Sequence, residues 1–112
     1  MKKIWIILMI LLIICGCARK KDTFKRDLTD IMHQGNFVLL DVRSAGEYEA
    51  RHIEGSINIP HDKIDEISDL PKDKTIIVFC QTGRRSRVAA DKLENLGFTV
   101  FDAKSIDNIQ VD

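Results

Sequence analysis

The run Thr75-Ile76-Ile77-Val78-Phe79 constrains this chain more than any other stretch. Five β-branched or aromatic residues without polar alternation suit a strand covered on both faces, as in the interior of a parallel sheet. Phe37-Val38-Leu39-Leu40 reads the same way. Helical signals alternate with these runs. Phe24, Leu28, Ile31 and Met32 have helical spacing, stopped by Gly35. Ser44 with Glu47 has capping-box spacing ahead of a short helix through Tyr48 to about Arg51. Ile57 and Ile59 predict a brief strand closed by Pro60. Asp62 is placed to cap another short helix, with Ile64, Ile67 and Leu70 on one face and Pro71 beyond its end. A helix from about Arg85 to Leu96 would turn Ala89, Leu93 and Leu96 inward. Gly97 then falls at a left-handed C′ position, and Phe98 at C″ is placed to touch Leu93. Phe98 to Phe101 makes a last strand. This alternation predicts an α/β fold, a small central parallel sheet flanked by helices, as one domain over residues 24–112.

The first residues read as a targeting segment rather than as part of that domain. Met1-Lys2-Lys3 is basic, Ile4 to Ile14 is uninterrupted and apolar, and Cys15-Gly16-Cys17-Ala18 closes it with mostly small side chains. Eleven residues at about 1.5 Å each reach roughly 17 Å, short of the roughly 30 Å hydrocarbon core of a bilayer. The length suits the h-region of an export signal over residues 1–16. Ile14-Cys15-Gly16-Cys17 resembles a bacterial lipobox, which implies a lipid on Cys17, a tether over residues 17–23, and a cell-envelope protein facing away from the cytoplasm. An uncleaved N-terminal anchor is the alternative, since Arg19, Lys20 and Lys21 put basic residues on both sides of the apolar run. Without residues 1–16 the chain keeps 15 basic against 17 acidic residues, a balance that argues against a nucleic-acid partner.

Chemistry concentrates in Cys80-Gln81-Thr82-Gly83-Arg84-Arg85-Ser86. In an open α/β sheet, ligands bind beyond the carboxyl ends of the strands, and Cys80 follows the strongest strand and precedes the strongest helix. No proline interrupts Gln81 to Ser86, so every residue offers an N–H, and Gly83 can take a positive φ. A loop that curls into a helix N-terminus forms an anion-binding nest. There the thiol becomes a thiolate, assisted by Arg84 and Arg85, whose guanidinium groups also suit an anionic substrate. The competing reading makes Cys80 a small inert core residue. Against it, two arginines at a positive helix end are locally unfavourable unless an anion compensates them. His33, His52 and His61 lack metal-ligand spacing.

With Leu40-Asp41-Val42-Arg43 and Glu47-Tyr48, then His52-Ile53-Glu54-Gly55-Ser56-Ile57-Asn58-Ile59-Pro60, then the Cys80 to Ser86 loop, the chain resembles a single-domain rhodanese from about Thr23 onward. The resemblance implies that Cys80 is the nucleophile. It takes sulfane sulfur from a small anionic donor such as thiosulfate and passes it from a persulfide to cyanide, a thiol or a protein acceptor. Gln81, Thr82, Gly83, Arg84, Arg85 and Ser86 would hold donor and persulfide. Asp41 and Arg43 would brace the fold and the edge of the site, and His52 would be a hydrogen-bonded structural residue. No metal or organic cofactor is implied. Phosphate-handling relatives place five residues between Cys and Arg; here four separate Cys80 from Arg85, a tighter loop that argues against arsenate reduction or phosphatase chemistry. A persulfide-binding or interaction module with little turnover is the alternative in another class. A thiol redox enzyme would need a resolving cysteine that residues 18–112 lack beyond Cys80. Arg51 stands where family members commonly carry glycine. Ala103-Lys104 and Ile109 replace a paired glycine and later tryptophan, so the C-terminal edge is expected to pack differently.

Overall fold

The computed structural model describes residues 23–66 and 69–109. The targeting segment, Cys17 and Ile67 therefore lie outside the described residues. The chain divides into two units, Met1–His33 and Gln34–Asp112. In the first, residues 23–33 are helical, and the helix (α1, residues 23–34) keeps Phe24, Leu28, Ile31 and Met32 on its less exposed side, the face set by their spacing.

The second unit holds a four-stranded sheet. Its strands are β1 (Phe37–Asp41), β2 (Ile57–Asn58), β3 (Thr75–Cys80) and β4 (Thr99–Ser105). They lie in the order β2-β1-β3-β4 and every pairing is parallel. The crossovers carry α2 (Ala45–Ala50), a 3-10 helix over His61–Glu66 and α3 (Arg84–Asn95); a second 3-10 turn, Ile106–Asn108, follows β4. Every β3 residue after Thr75 is buried, which explains the absence of polar alternation in that run. Ile76, Val78 and Cys80 join Leu40, Val42, Ile64, Ala89, Leu93 and Phe98 in one core cluster.

Three local features follow directly from residue type. Ser44 and Glu47 form the full capping box of α2, each side chain answering the other's backbone N–H. At the end of α3, Gly97 takes φ 94°, its N–H bonds Glu94 O at 3.0 Å, and Phe98 N–H bonds Leu93 O at 3.1 Å. That is a Schellman ending, with Phe98 returned to the core beside Leu93. Arg51, the C-cap of α2, is extended at φ −164°, a conformation open to any residue.

Three expectations are corrected. Leu96 is exposed at 40% rather than inward, because it is the C-cap where the chain leaves the helix. The segment begun by His61 winds as a 3-10 helix, with Lys63 N–H bonded to Pro60 O at 2.8 Å, so Asp62 lies in its first turn instead of capping it. The last strand also runs further than Phe101. It continues to Ser105 through a shift in register, Val78 pairing Asp102 but Phe79 pairing Lys104. Ala103 is the extra residue and is fully buried, which makes the irregularity a bulge.

Candidate active site

β3 delivers Cys80 to the carboxyl edge of the sheet, and α3 begins four residues later. The turn between them depends on Gly83, which caps α3 at φ 102°, in the left-handed region. A Cβ at this position would come within 3.2 Å of Lys104 Cβ, so the close approach of β4 also favours glycine there. The curl aims the Gly83 N–H at Cys80 Sγ, 2.9 Å away. Ser86, fully buried in the first turn of α3, has its hydroxyl 3.1 Å from Gly83 O and 3.3 Å from Lys104 O.

Cys80 has no exposed surface and no disulfide partner. Burial alone pushes its thiol up. The backbone N–H groups of Ser86, Gly83 and Thr82, with the Ser86 hydroxyl, more than offset that effect and leave Cys80 below the usual thiol range. Ser86 has one hydroxyl proton and three acceptors within reach, namely two carbonyls and the sulfur. Ionisation of the thiol makes the sulfur the strongest of the three. The loop therefore stabilises a sulfur-centred anion chiefly with backbone dipoles.

The remaining residues singled out by sequence fall into distinct places. Gln81, Thr82 and Arg84 are exposed on the loop and the start of α3. Arg85 turns to α2 and grips Glu47 in a two-point pair, Nη1 to Oε1 at 2.6 Å and Nη2 to Oε2 at 3.0 Å. Asp41 and Arg43 form a buried pair beneath this edge. Arg43 Nη2 donates to Asp41 Oδ2 at 2.8 Å and to Arg51 O at 2.7 Å, and the Arg43 N–H donates to Asp41 Oδ1 at 2.9 Å. The carboxylate beside it raises the Arg43 pKa further. His52 is tied to α2: Nδ1 lies 2.9 Å from Tyr48 O, and its ring stacks on Tyr48 at 4.0 Å. Among the described residues no group of three or more His, Cys, Asp or Glu could hold a metal ion.

Sequence reasoning assigned Glu47 to the cap of α2 and Arg85 to a donor anion. It missed the bond between them across 38 positions, for which only the opposite charges were a signal. It also missed that the β4 bulge brings Lys104 against Gly83.

A parallel α/β domain that holds a thiol in a backbone nest, where a strand passes into a helix, can stabilise a sulfur-centred anion. The chain belongs to the rhodanese family: the rhodanese-like domain matches residues 24–107. It is similar to the tRNA sulfurtransferase of Thermoplasma acidophilum, 35% identical over 77 residues, covering 65% of this chain and 16% of that protein. It is also similar to the thiosulfate sulfurtransferase PspE of Escherichia coli, 38% identical over 63 residues, covering 54% and 61%. The chain thus spans less than two thirds of either relative. Among solved structures, a rhodanese with anions from E. coli superposes with a TM-score of 0.61 at 30% identity, over 68% of this chain and 94% of that one.

Proposed function

We propose that the domain is a sulfurtransferase that carries sulfane sulfur on Cys80. The observation that carries the reading is the Gly83 N–H lying 2.9 Å from Cys80 Sγ at the start of α3. The relatives named above, thiosulfate and tRNA sulfurtransferases, support the same class of reaction. With thiosulfate as donor, the Cys80 thiolate attacks the outer sulfur. A sulfur–sulfur bond forms to Cys80, and the bond to the sulfonyl sulfur breaks with its electron pair leaving as sulfite. The product is a Cys80 persulfide anion, one sulfur longer, held by the same N–H groups. Cyanide, a thiol or a protein acceptor then attacks the terminal sulfur and restores the thiolate. No proton transfer is needed once Cys80 is ionised.

The test is intact mass before and after thiosulfate, in a Cys15→Ser, Cys17→Ser background with Cys80→Ala alongside. A gain of one sulfur, about 32 Da, removable by dithiothreitol and absent in the Cys80 variant, is the expected result. A second reading is a sulfur-carrying module with little turnover on small donors. That protein would be alkylated at Cys80 yet gain no mass from thiosulfate.

We also propose that Cys17 is lipidated and anchors the domain in the cell envelope, with residues 1–16 as the signal. The basic start, the eleven apolar residues and Gly16-Cys17 support this. Cys17→Ser is expected to release the protein from membranes or block its maturation. An unchanged size and distribution would exclude the lipid.

A further inference from the structure

Arg85 belongs to the first turn of α3, next to Ser86, yet its guanidinium is spent on a carboxylate of α2. Glu47 Oε1 takes Nη1 at 2.6 Å and Oε2 takes Nη2 at 3.0 Å, so both terminal nitrogens close on one group. Glu47 is itself held from the other side, Oε1 accepting from the Ser44 N–H at 3.2 Å and from Ser44 Oγ at 3.0 Å. The Arg85 hydrogen bonds bring its pKa down to about 2, so it carries its charge throughout the neutral range. In return the Glu47 bonds raise the Arg85 pKa, against burial, and the charge of Cys80 adds to the rise. The guanidinium therefore lies within electrostatic reach of the sulfur.

Arg43 and Asp41 make a second, buried pair at the same edge. Two guanidinium groups thus face two carboxylates, and each pair approaches neutrality beyond its own bonds. At Sγ itself the attraction comes from backbone, with the Gly83 N–H at 2.9 Å, and such dipoles act at contact range. A nest of this kind recognises a sulfur atom more than the total charge of the donor. Resting on the sulfurtransferase reading, we propose that Glu47 is a specificity-determining residue. By engaging both terminal nitrogens of Arg85 it withholds that guanidinium from the oxyanion of a donor, and the site discriminates against doubly charged donors. The pair is partly open to solvent, at 29% for Arg85 and 36% for Glu47. A donor oxyanion that takes Arg85 must therefore displace a carboxylate already held by Ser44, and the displaced charge then repels it.

The experiment is steady-state sulfur transfer to cyanide by the full chain from two donors, thiosulfate with two negative charges and benzenethiosulfonate with one. In both, Cys80 attacks the outer sulfur and the bond to the sulfonyl sulfur breaks with its electron pair, leaving as sulfite or benzenesulfinate. Wild type is compared with Glu47→Gln, which keeps an acceptor for Ser44 and Arg85 but removes the charge, and with Glu47→Gln combined with Arg85→Gln. Glu47→Gln is expected to lower KM for thiosulfate about three- to tenfold at low ionic strength, and KM for the singly charged donor by less. The gain shrinks at high salt. Adding Arg85→Gln cancels it, because the released guanidinium carries it. An unchanged ratio of the two KM values in Glu47→Gln means a carboxylate that only ties α2 to α3, and overturns the inference. A raised KM for thiosulfate means that Glu47 presents Arg85 to the donor, and overturns it as well. Intact mass separates the two readings. A wild-type chain that gains no sulfur from either donor overturns both, whereas a sulfur-loaded wild type with that unchanged ratio overturns only the role of Glu47.

Discussion

The Glu47 carboxylate closes two structures at once, accepting from Ser44 N–H and Oγ in the cap of α2 and from both terminal nitrogens of Arg85 in α3. One side chain thus fixes the start of a short helix and ties it to the turn that holds Cys80.

Glu47 should make the stability of the domain depend on acid. The hydrogen bonds from Arg85 hold its pKa down to about 2, against burial and with help from Ser44. A lowered carboxylate contributes stability that is present above its unfolded value and lost as pH falls through the folded one. The window therefore runs from about 4.5 down to about 2. Glu47→Gln is expected to cost about 0.5–1.5 kcal/mol near neutrality, modest because the pair is partly exposed to solvent. The difference from wild type should shrink as pH drops through that window. Urea unfolding at pH 7, 4 and 2.5 reads it; a difference independent of pH would mean the pair contributes nothing electrostatic.

Cys80 should react as a low-pKa thiol. Its alkylation rate by iodoacetamide, followed by mass, is expected to reach half its plateau below the ordinary cysteine value of about 8.5. Ser86→Ala removes the hydroxyl and should move that midpoint upward, leaving the N–H donors to act alone. A midpoint unchanged by this substitution would assign the whole effect to the backbone.

Gly83 and Gly97 have similar positive φ but different surroundings, which predicts different outcomes for the same substitution. Gly97→Ala meets only the flexible end of Lys72, at 3.5 Å. It should lose about 1 kcal/mol from φ alone and keep sulfur transfer. Gly83→Ala also crowds Lys104 at 3.2 Å and shifts the N–H that holds Cys80. It should lose more stability and most of its transfer activity. Paired urea titrations and activity assays test the contrast, and equal activity in the two variants would remove Gly83 from the site.

Asp41→Ala should be among the most damaging single changes in the second unit. It strands the buried Arg43 guanidinium, and removing one partner of such a pair typically costs about 3–5 kcal/mol. A urea midpoint close to wild type would show that Arg43 finds another acceptor.

Much of this protein was legible in its residues because the signals were local. The unalternating runs at Phe37 and Thr75 announced strands covered on both faces. The Ser44–Glu47 spacing announced a cap, and Gly97-Phe98 announced how α3 ends. The strand–Cys80–Gly83–helix order placed a thiol where backbone N–H groups converge. These readings depend on contacts within a few positions, or on burial that an apolar run states directly. Leu96 failed because helical spacing alone does not tell where a helix lets go of its last turn.

What only the tertiary structure decided lies between distant positions. Arg85 faces Glu47, 38 residues away, because parallel β1 and β3 set the starts of α2 and α3 side by side at one edge of the sheet. Lys104 rests on Gly83 because one extra residue, Ala103, shifts the register of β4 against β3. Sequence determined the order of strand, loop and helix that brings Cys80 to a backbone nest. Strand register, a property of two chain segments jointly, decided which residue packs against the Gly83 turn.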